Sequence, residues 1–287
     1  MKTFNIRSFC KVNLSLKVIK KLHNGFHKIQ SLVTFVNLSD IISIREINAE
    51  QDKIKFFGKF KYNINPKINT ISKTLSILRK NNYLKKKKFK ISIEKNIPNG
   101  AGLGGGSMNS AALIRFFLST YKLNISRKKL FKIAYNIGSD VLLGLKIKNT
   151  FLIGGKKYLK RFEGKLKLFA ILVNPGIRCL SKNIYSANKK YSNTYSKKTT
   201  LNFQKLFNLN NIKQEENDLE RVVFKRHLEV KNLNNFIKEQ KNCIFSRMTG
   251  SGSTCIGYFN DLTSAQKAKK NIAKKFPNYW CEIAKTI

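Results

Sequence analysis

Between Gly100 and Gly106 five of seven residues are glycine, in the stretch PNGAGLGGGSMNSAALIRFF. An ordinary tight turn needs only one or two residues at positive φ, so five glycines exceed what reversing the chain requires. Upstream, Phe89, Ile91 and Ile93 alternate with Lys90, Ser92 and Glu94, the period of a strand; downstream the apolar run from Ala111 predicts a helix. The order is strand, loop, helix. Such a loop lets backbone N–H groups converge on phosphate oxygens with no Cβ in the way, at the positive end of a helix dipole.

Three familiar glycine loops do not fit. Gly100, Gly102 and Gly105 satisfy G-x-G-x-x-G, but a dinucleotide site also needs an acidic residue about 20 positions on. No Asp or Glu occurs between Glu94 and Asp140. A Walker A loop ends in G-K-[ST], and Gly106-Ser107-Met108 has no lysine. A protein-kinase loop would lie in a hairpin followed by a lysine strand and an H-R-D motif, and neither is present.

With 287 residues and 42% hydrophobic content, the chain can bury the core of one large domain or two modest ones. No apolar run approaches the roughly 20 residues that cross a bilayer, and the alternating start MKTFNIRSFCKVNLSLKV is unlike a signal peptide. The expectation is a soluble, cytoplasmic protein without a membrane partner. Cys10, Cys179, Cys243, Cys255 and Cys281 are scattered and odd in number, which favours reduced, mostly buried thiols over a disulfide framework or a zinc site. A net charge of +42 alone would favour a polyanion. The lysines, however, run along the whole chain with abundant Asn and Ile, all encoded by AT-rich codons, so the charge reads as compositional drift and no nucleic-acid partner is required.

From Phe4 to Val18 the apolar residues fall mainly on even positions, which predicts one half-buried strand. Further strands are expected from Ile29 to Val36, Ile41 to Ile47 and Ile54 to Phe60, with a helix from Pro66 to Arg79 that has its proline in the first turn. A helix from Arg127 to Asn136 leads to IGSDVLLGL. A strand from Leu166 to Val173 ends at Asn174-Pro175-Gly176, and Ser186 to Thr200 reads as a surface loop or linker, with a soft domain boundary near residue 160. Helices are expected around Leu201 to Leu209, Asn217 to Arg226 and Val230 to Gln240. Strands from Ile244 to Met248 and Thr254 to Phe259 then flank TGSGST, and a helix follows Leu262.

Among only 15 acidic residues, Asp140 is an isolated carboxylate between a helix and the apolar Val141-Leu142-Leu143. It suits a helix terminus or turn as well as a general base. Lys11 shares the polar side of its strand with Asn13 and Ser15, where a lysine is ordinarily solvated. Phe26-His27 offers a π-face beside a donor and acceptor, the chemistry that reads a nucleobase, though each residue also suits an ordinary structural place. The second glycine-serine turn, Gly250 to Ser253, serves as a hairpin or as an anion nest.

Pro98 to Ser107 reproduces P-x-G-A-G-L-G-G-G-S and resembles the loop of the GHMP kinases. The likeness extends to CKVNLSLKVIKKLHNGFHKIQSLVTFVNLSD, IGSDVLLGL, NPGIRCLSKNIY, NDLE and MTGSGSTCIGYF, in family order, from residue 8 to about 260. The resemblance implies an α+β, two-lobed fold. Its N-terminal lobe, residues 1–160, would resemble ribosomal protein S5 domain 2, and its C-terminal lobe, residues 161–287, would be ferredoxin-like, with substrate in the cleft between them. It implies ATP on Pro98, Asn99, Gly100, Ala101, Gly102, Leu103, Gly104, Gly105, Gly106, Ser107 and Met108, and catalysis by Asp140 as base with Lys11 holding it. The acceptor is expected to be a methylerythritol polyol carried on cytidine diphosphate. Asn13 and Ser181 would contact it, and Phe26, His27 and Tyr185 would read the cytosine. Mg2+ is expected on the nucleotide phosphates with Ser107 the nearest protein ligand and no dedicated carboxylate. Cys10, Met108 and Leu142-Leu143-Gly144 depart from the family pattern.

Overall fold

The structure, a computed structural model, describes residues 2–62, 64–154, 158–164, 166–195 and 203–287. The elements run β1 Thr3–Asn13, β2 Lys17–Lys21, β3 His27–Ile47, β4 Lys53–Phe57, α1 Thr70–Lys80, β5 Lys88–Glu94, α2 Gly105–Thr120, α3 Arg127–Ile137 and α4 Val141–Gly144. Then come β6 Asn149–Ile153, β7 Tyr158–Phe162, β8 Phe169–Asn174, α5 Ser181–Ala187, a 3-10 turn Phe203–Phe207, α6 Leu209–Gln214, α7 Glu220–Arg226 and α8 Leu228–Lys238. The chain closes with β9 Phe245–Met248, β10 Cys255–Phe259, α9 Leu262–Lys275 and β11 Trp280–Lys285. These pack as two compact units, one of Met1–Lys11, Leu38–Asn99 and Gly104–Ile147, the other of Val12–Asn37, Gly100–Leu103 and Lys148–Ile287.

In the first unit β5 pairs antiparallel with the end of β3, from Ile41↔Glu94 to Ile47↔Lys88, and parallel with β4. Ile42, Ile44, Phe89, Ile91 and Ile93 are buried at alternate positions, as the period of two requires. Helix α2 buries Ala111, Ala112, Leu113, Ile114, Phe116 and Phe117, more than one stripe, and is therefore an interior helix. Asp40, fully buried, ties β3 to the segment entering the glycine loop: it accepts the N–H of Asn96 at 2.8 Å and of Ile97 at 3.0 Å, and pairs with the buried Lys95 ammonium. Asn109 on α2 donates to the same carboxylate at 3.0 Å.

In the second unit β3 pairs through residues 27–30 with β2 and through residues 30–33 with β6, which pairs with β7. A separate antiparallel sheet has the order β11-β8-β10-β9. Its Ile171, Val173, Cys255 and Phe259 share a core with Val230, Leu233 and Ile237 of α8 and Ala265, Ala268 and Ile272 of α9. The α+β expectation is borne out.

Several boundaries differ. The run from Phe4 to Val18 forms two strands, because Leu14 and Ser15 both donate to the Leu32 carbonyl and Leu16 donates to Glu216, leaving the ladder. From Cys10 to Leu16 odd and even positions alike are buried, so Lys11, Asn13 and Ser15 are not on a solvated face. Two expected strands join as β3, and in the gap left between them Asn37 and Asp40 place their side chains on the Lys285 N–H and on the Asn96 and Ile97 amides. Pro66 precedes α1 rather than opening it; Asn69 caps that helix, with a reciprocal bond from Ser72. Residues 196–202, which include the end of the expected linker and the start of the expected helix at Leu201, lie outside the described residues. Elements β6, β7, β11, α4, α5 and α6 were not anticipated. Among the described residues no helix is long and apolar enough to cross a membrane. All five cysteines are free, with Cys10, Cys179 and Cys255 buried and the other two half-buried.

Candidate active site

Glycine at 104 shapes the candidate site of the first unit. It caps α2 in the left-handed region at φ 70°, and no side chain bonds to the cap. The first-turn amides, from Gly105 to Ser107, therefore carry no side-chain cap, which is what an anion at a helix N-terminus requires. A Cβ on Gly104 would sit 3.1 Å from Cγ and Cε of Lys11, so the glycine lets the lysine pass directly beneath the loop. Lys11 is only 4% exposed, against the solvated default for a lysine. Its Nζ lies 3.6 Å from a carboxylate oxygen of Asp140.

Asp140 stands at the N-cap position of the short helix α4, yet its side chain makes no cap hydrogen bond. The carboxylate is thus not engaged in ending or starting a helix, the alternative its sequence position left open. Gly138, in the turn before it, adjoins Ser107, whose Oγ would be 3.5 Å from a Cβ there. Two departures from the family pattern fit each other in this unit. A Cβ on Gly144 would lie 2.9 Å from Sδ of Met108, so the long side chain at 108 occupies room that the glycine leaves. Of the remaining loop residues, Pro98 is buried and Asn99 donates its Nδ2 to the Phe60 carbonyl at 2.7 Å.

The second unit brings together Asn13, Gly102 and Ser181 around the Gly250–Ser253 turn. Asn13 N–H donates to Oγ1 of Thr249 at 2.9 Å, and Thr249 donates back to Asn13 Oδ1 at 3.3 Å. Asn13 Nδ2 donates to Ser31 at 2.8 Å, and Ser181 Oγ lies 2.9 Å from Ser251 Oγ. Gly102 packs backbone to backbone on this turn: a Cβ there would collide with the Thr249 carbonyl, and one on Gly250 would be 2.8 Å from the Gly102 oxygen. Ala101 and Leu103 on either side are buried. Gly100, at φ 66°, lies against the exposed side chain of Arg178.

Farther along β3, the His27 ring packs 5.5 Å from that of Tyr185, tilted by 35°. Burial, and secondarily Lys21, lower the His27 pKa, which favours the neutral ring with one donor and one acceptor. Its buried Nε2 has no hydrogen-bond partner among the described residues. Phe26 beside it is 62% exposed, an unusual setting for a core residue.

Thr249, Lys95 and Asp40 took no part in the expected site. Thr249 lies within the quoted TGSGST, but only tertiary pairing shows that its hydroxyl serves Asn13. Lys95 and Asp40 are 55 residues apart, and nothing local marks them as a pair. Among the described residues no cluster of three or more His, Cys, Asp or Glu could hold a metal ion.

The GHMP kinases N terminal domain matches residues 69–146 and the GHMP kinases C terminal domain residues 198–278. The chain belongs to the GHMP kinase family. Within it, the chain is 40% identical over 287 residues, the full length of both proteins, to the 4-diphosphocytidyl-2-C-methyl-D-erythritol kinase of Pelagibacter ubique. It is 31% identical to the enzyme of that name from Wolbachia pipientis, over 98% of this chain and 97% of the other. A crystal structure of 4-(cytidine 5'-diphospho)-2C-methyl-D-erythritol kinase superposes with a TM-score of 0.76 at 23% identity, over 98% of this chain and 99% of that one, and shares the fold.

Proposed function

We propose that this chain transfers the γ-phosphoryl group of ATP to the 2-hydroxyl of 4-diphosphocytidyl-2-C-methyl-D-erythritol, giving the 2-phosphate and ADP, a step in non-mevalonate isoprenoid precursor synthesis. The observation that carries the reading is the buried Lys11, which touches Gly104 at the head of α2 and pairs with an Asp140 carboxylate not used as a cap. Phosphoryl transfer to an alcohol asks for positioned phosphates, charge compensation and a proton acceptor. These three demands fall on the loop amides, Lys11 and Asp140.

In the proposed reaction the loop from Pro98 to Met108 holds the nucleotide phosphates through backbone N–H groups. The Asp140 carboxylate receives the proton of the 2-hydroxyl as its oxygen attacks the γ-phosphorus, and the bond to the bridging oxygen of ADP breaks. Lys11 orients Asp140 and offsets the negative charge that develops on the transferring group. Asn13 and Ser181 position the polyol. Phe26 stacks on the cytosine, and the unpartnered Nε2 of His27, steadied by Tyr185, meets the hydrogen-bonding edge of the base. Mg2+ would neutralise β- and γ-phosphate oxygens. Ser107, in the first turn of α2, offers one hard hydroxyl oxygen to such an ion, with phosphate and water as its other ligands. The N-terminal kinase domain is taken as residues 1–160, the C-terminal as 161–287, and the setting as cytoplasmic.

A coupled ADP-release assay tests the reading. Turnover with the cytidine substrate should exceed that with mevalonate or homoserine, neither of which has a base for Phe26 and His27. Preference for either of those would move the chain to another branch of the family. Strong, salt-sensitive RNA binding without ATP turnover would remove it from the kinases altogether.

A further inference from the structure

The motif NDLE, Asn217 to Glu220, lies outside the residues given roles above, yet its Asn217 and Glu220 side chains converge on the second glycine turn and the strand that enters it. Asn217 Nδ2 donates to the carbonyls of Met248 at 2.8 Å and Gly250 at 2.9 Å, while its Oδ1 accepts the Leu219 N–H at 3.1 Å. Glu220 Oε1 accepts the Met248 N–H at 2.7 Å. Asn217 is 2% exposed, so these bonds are made away from water, where an unpaired carbonyl or N–H is costly. On its other side the motif holds the chain just after Asn13. Leu16 N–H donates to the Glu216 carbonyl at 2.9 Å, Asp218 N–H to the Leu16 carbonyl at 2.8 Å, and Val18 N–H to the Asp218 carboxylate at 2.7 Å.

The clamped turn is itself the hub of the second unit's site. It presents Thr249 to Asn13, Ser251 to Ser181 and its own backbone to Gly102 of the phosphate loop. We infer that Asn217 and Glu220 are positioning residues for phosphoryl transfer: they fix the level of the Thr249–Ser253 turn, and with it the register of Asn13, Ser181 and Gly102. The inference rests on the kinase reading above. Its bonds fall on the Met248 carbonyl and N–H at the end of β9, where the chain enters the turn, and on the Gly250 carbonyl inside it, and three candidate site residues share that turn. A displacement of about 1 Å at such a turn is enough to cost about 100-fold in rate, because the reacting groups lose alignment while the binding contacts largely persist.

The test compares Asn217→Ala, Glu220→Ala and Glu220→Gln, with steady-state constants for both substrates measured well below each variant's melting temperature. Asn217→Ala and Glu220→Ala should lose about 10- to 100-fold in kcat, with KM for ATP and for the cytidine substrate changing much less. Glu220→Gln, which keeps an acceptor for the Met248 N–H, should recover most of the turnover. If Asn217→Ala does not fold, Glu220→Ala set against Glu220→Gln carries the same test, because the pair differs in the acceptor for the Met248 N–H. Variants that melt earlier but turn over at the wild-type rate while folded would overturn the inference and leave the kinase reading intact. An inactive wild type would overturn the kinase reading and this inference with it.

Discussion

Lys11 is one of 57 basic residues, and composition gives no reason to single it out. What sets it apart is burial beneath Gly104 and the approach to Asp140. Lys11→Ala should therefore lose most turnover, whereas Lys86→Ala, at an exposed position, should stay within about twofold of wild type, as surface changes away from special features usually do. Equal behaviour of the two in the ADP-release assay would remove the special status of Lys11. Asp140→Asn keeps volume but not the proton acceptor, so turnover should fall by about 100-fold or more while nucleotide affinity shifts only a few fold. Near-normal kcat would exclude Asp140 as the base. Asp140 was legible because carboxylates are scarce in this chain and it stands alone. Lys11 was legible only through family likeness, because the alternation of its strand placed it on a polar face that the structure buries.

At the scale of elements, the glycine loop was legible because five glycines before an apolar helix leave few alternatives. The break between β1 and β2 was not, because the alternation of residues continues through Leu14 and Leu16 while Leu14 and Ser15 crowd onto one carbonyl of β3, that of Leu32, and Leu16 turns away to Glu216. Periodicity reports which side chains can share a face, and says nothing about which strand receives the backbone bonds. The length of β3 was hidden for a related reason. Asn37 and Asp40, in the gap between the two expected strands, place their side chains on distant amides. For α2 the decisive position is Gly104. Gly104→Val places a β-branched residue at φ 70°, a conformation it rarely adopts, and drives methyl groups toward Lys11. Wild-type protein should gain about 2.7 kcal/mol of stability at Mg-ATP one hundred times its Kd, and the variant little. Melts with and without Mg-ATP separate this from a folding defect; an unchanged ligand-induced gain would mean that the glycine serves packing alone.

At the scale of the whole molecule, motif order made the α+β class readable, while β6, β7 and β11 lacked the clean alternation that would mark them. The balance of 57 basic to 15 acidic residues also means that a few carboxylates shape how stability varies with pH. Glu220 is the informative one. Burial pushes its pKa up from 4.5 to about 7, against the opposing pull of the Met248 N–H and of Arg247. The Arg247 guanidinium is itself shared among the carbonyls of Leu14, Ile212 and Lys213, so it is only partly directed to Glu220. Between pH 4.5 and 7 the folded chain keeps a proton on Glu220 that the unfolded chain has released, and stability from this group falls as pH rises through that window. It is fully present below pH 4.5 and lost above pH 7. Gln at this position keeps the acceptor for Met248 but does not titrate. Urea unfolding of wild type and Glu220→Gln at pH 5 and pH 8 should show the variant gaining relative stability at the higher pH. Each tenfold difference in proton affinity between the folded and unfolded chains is worth about 1.4 kcal/mol, so the gain should reach up to about 3 kcal/mol. Other groups titrate alike in both proteins and cancel in the difference. Parallel curves would mean that Arg247 holds Glu220 ionised throughout, and a larger gap at pH 5 would reverse the sign of the argument.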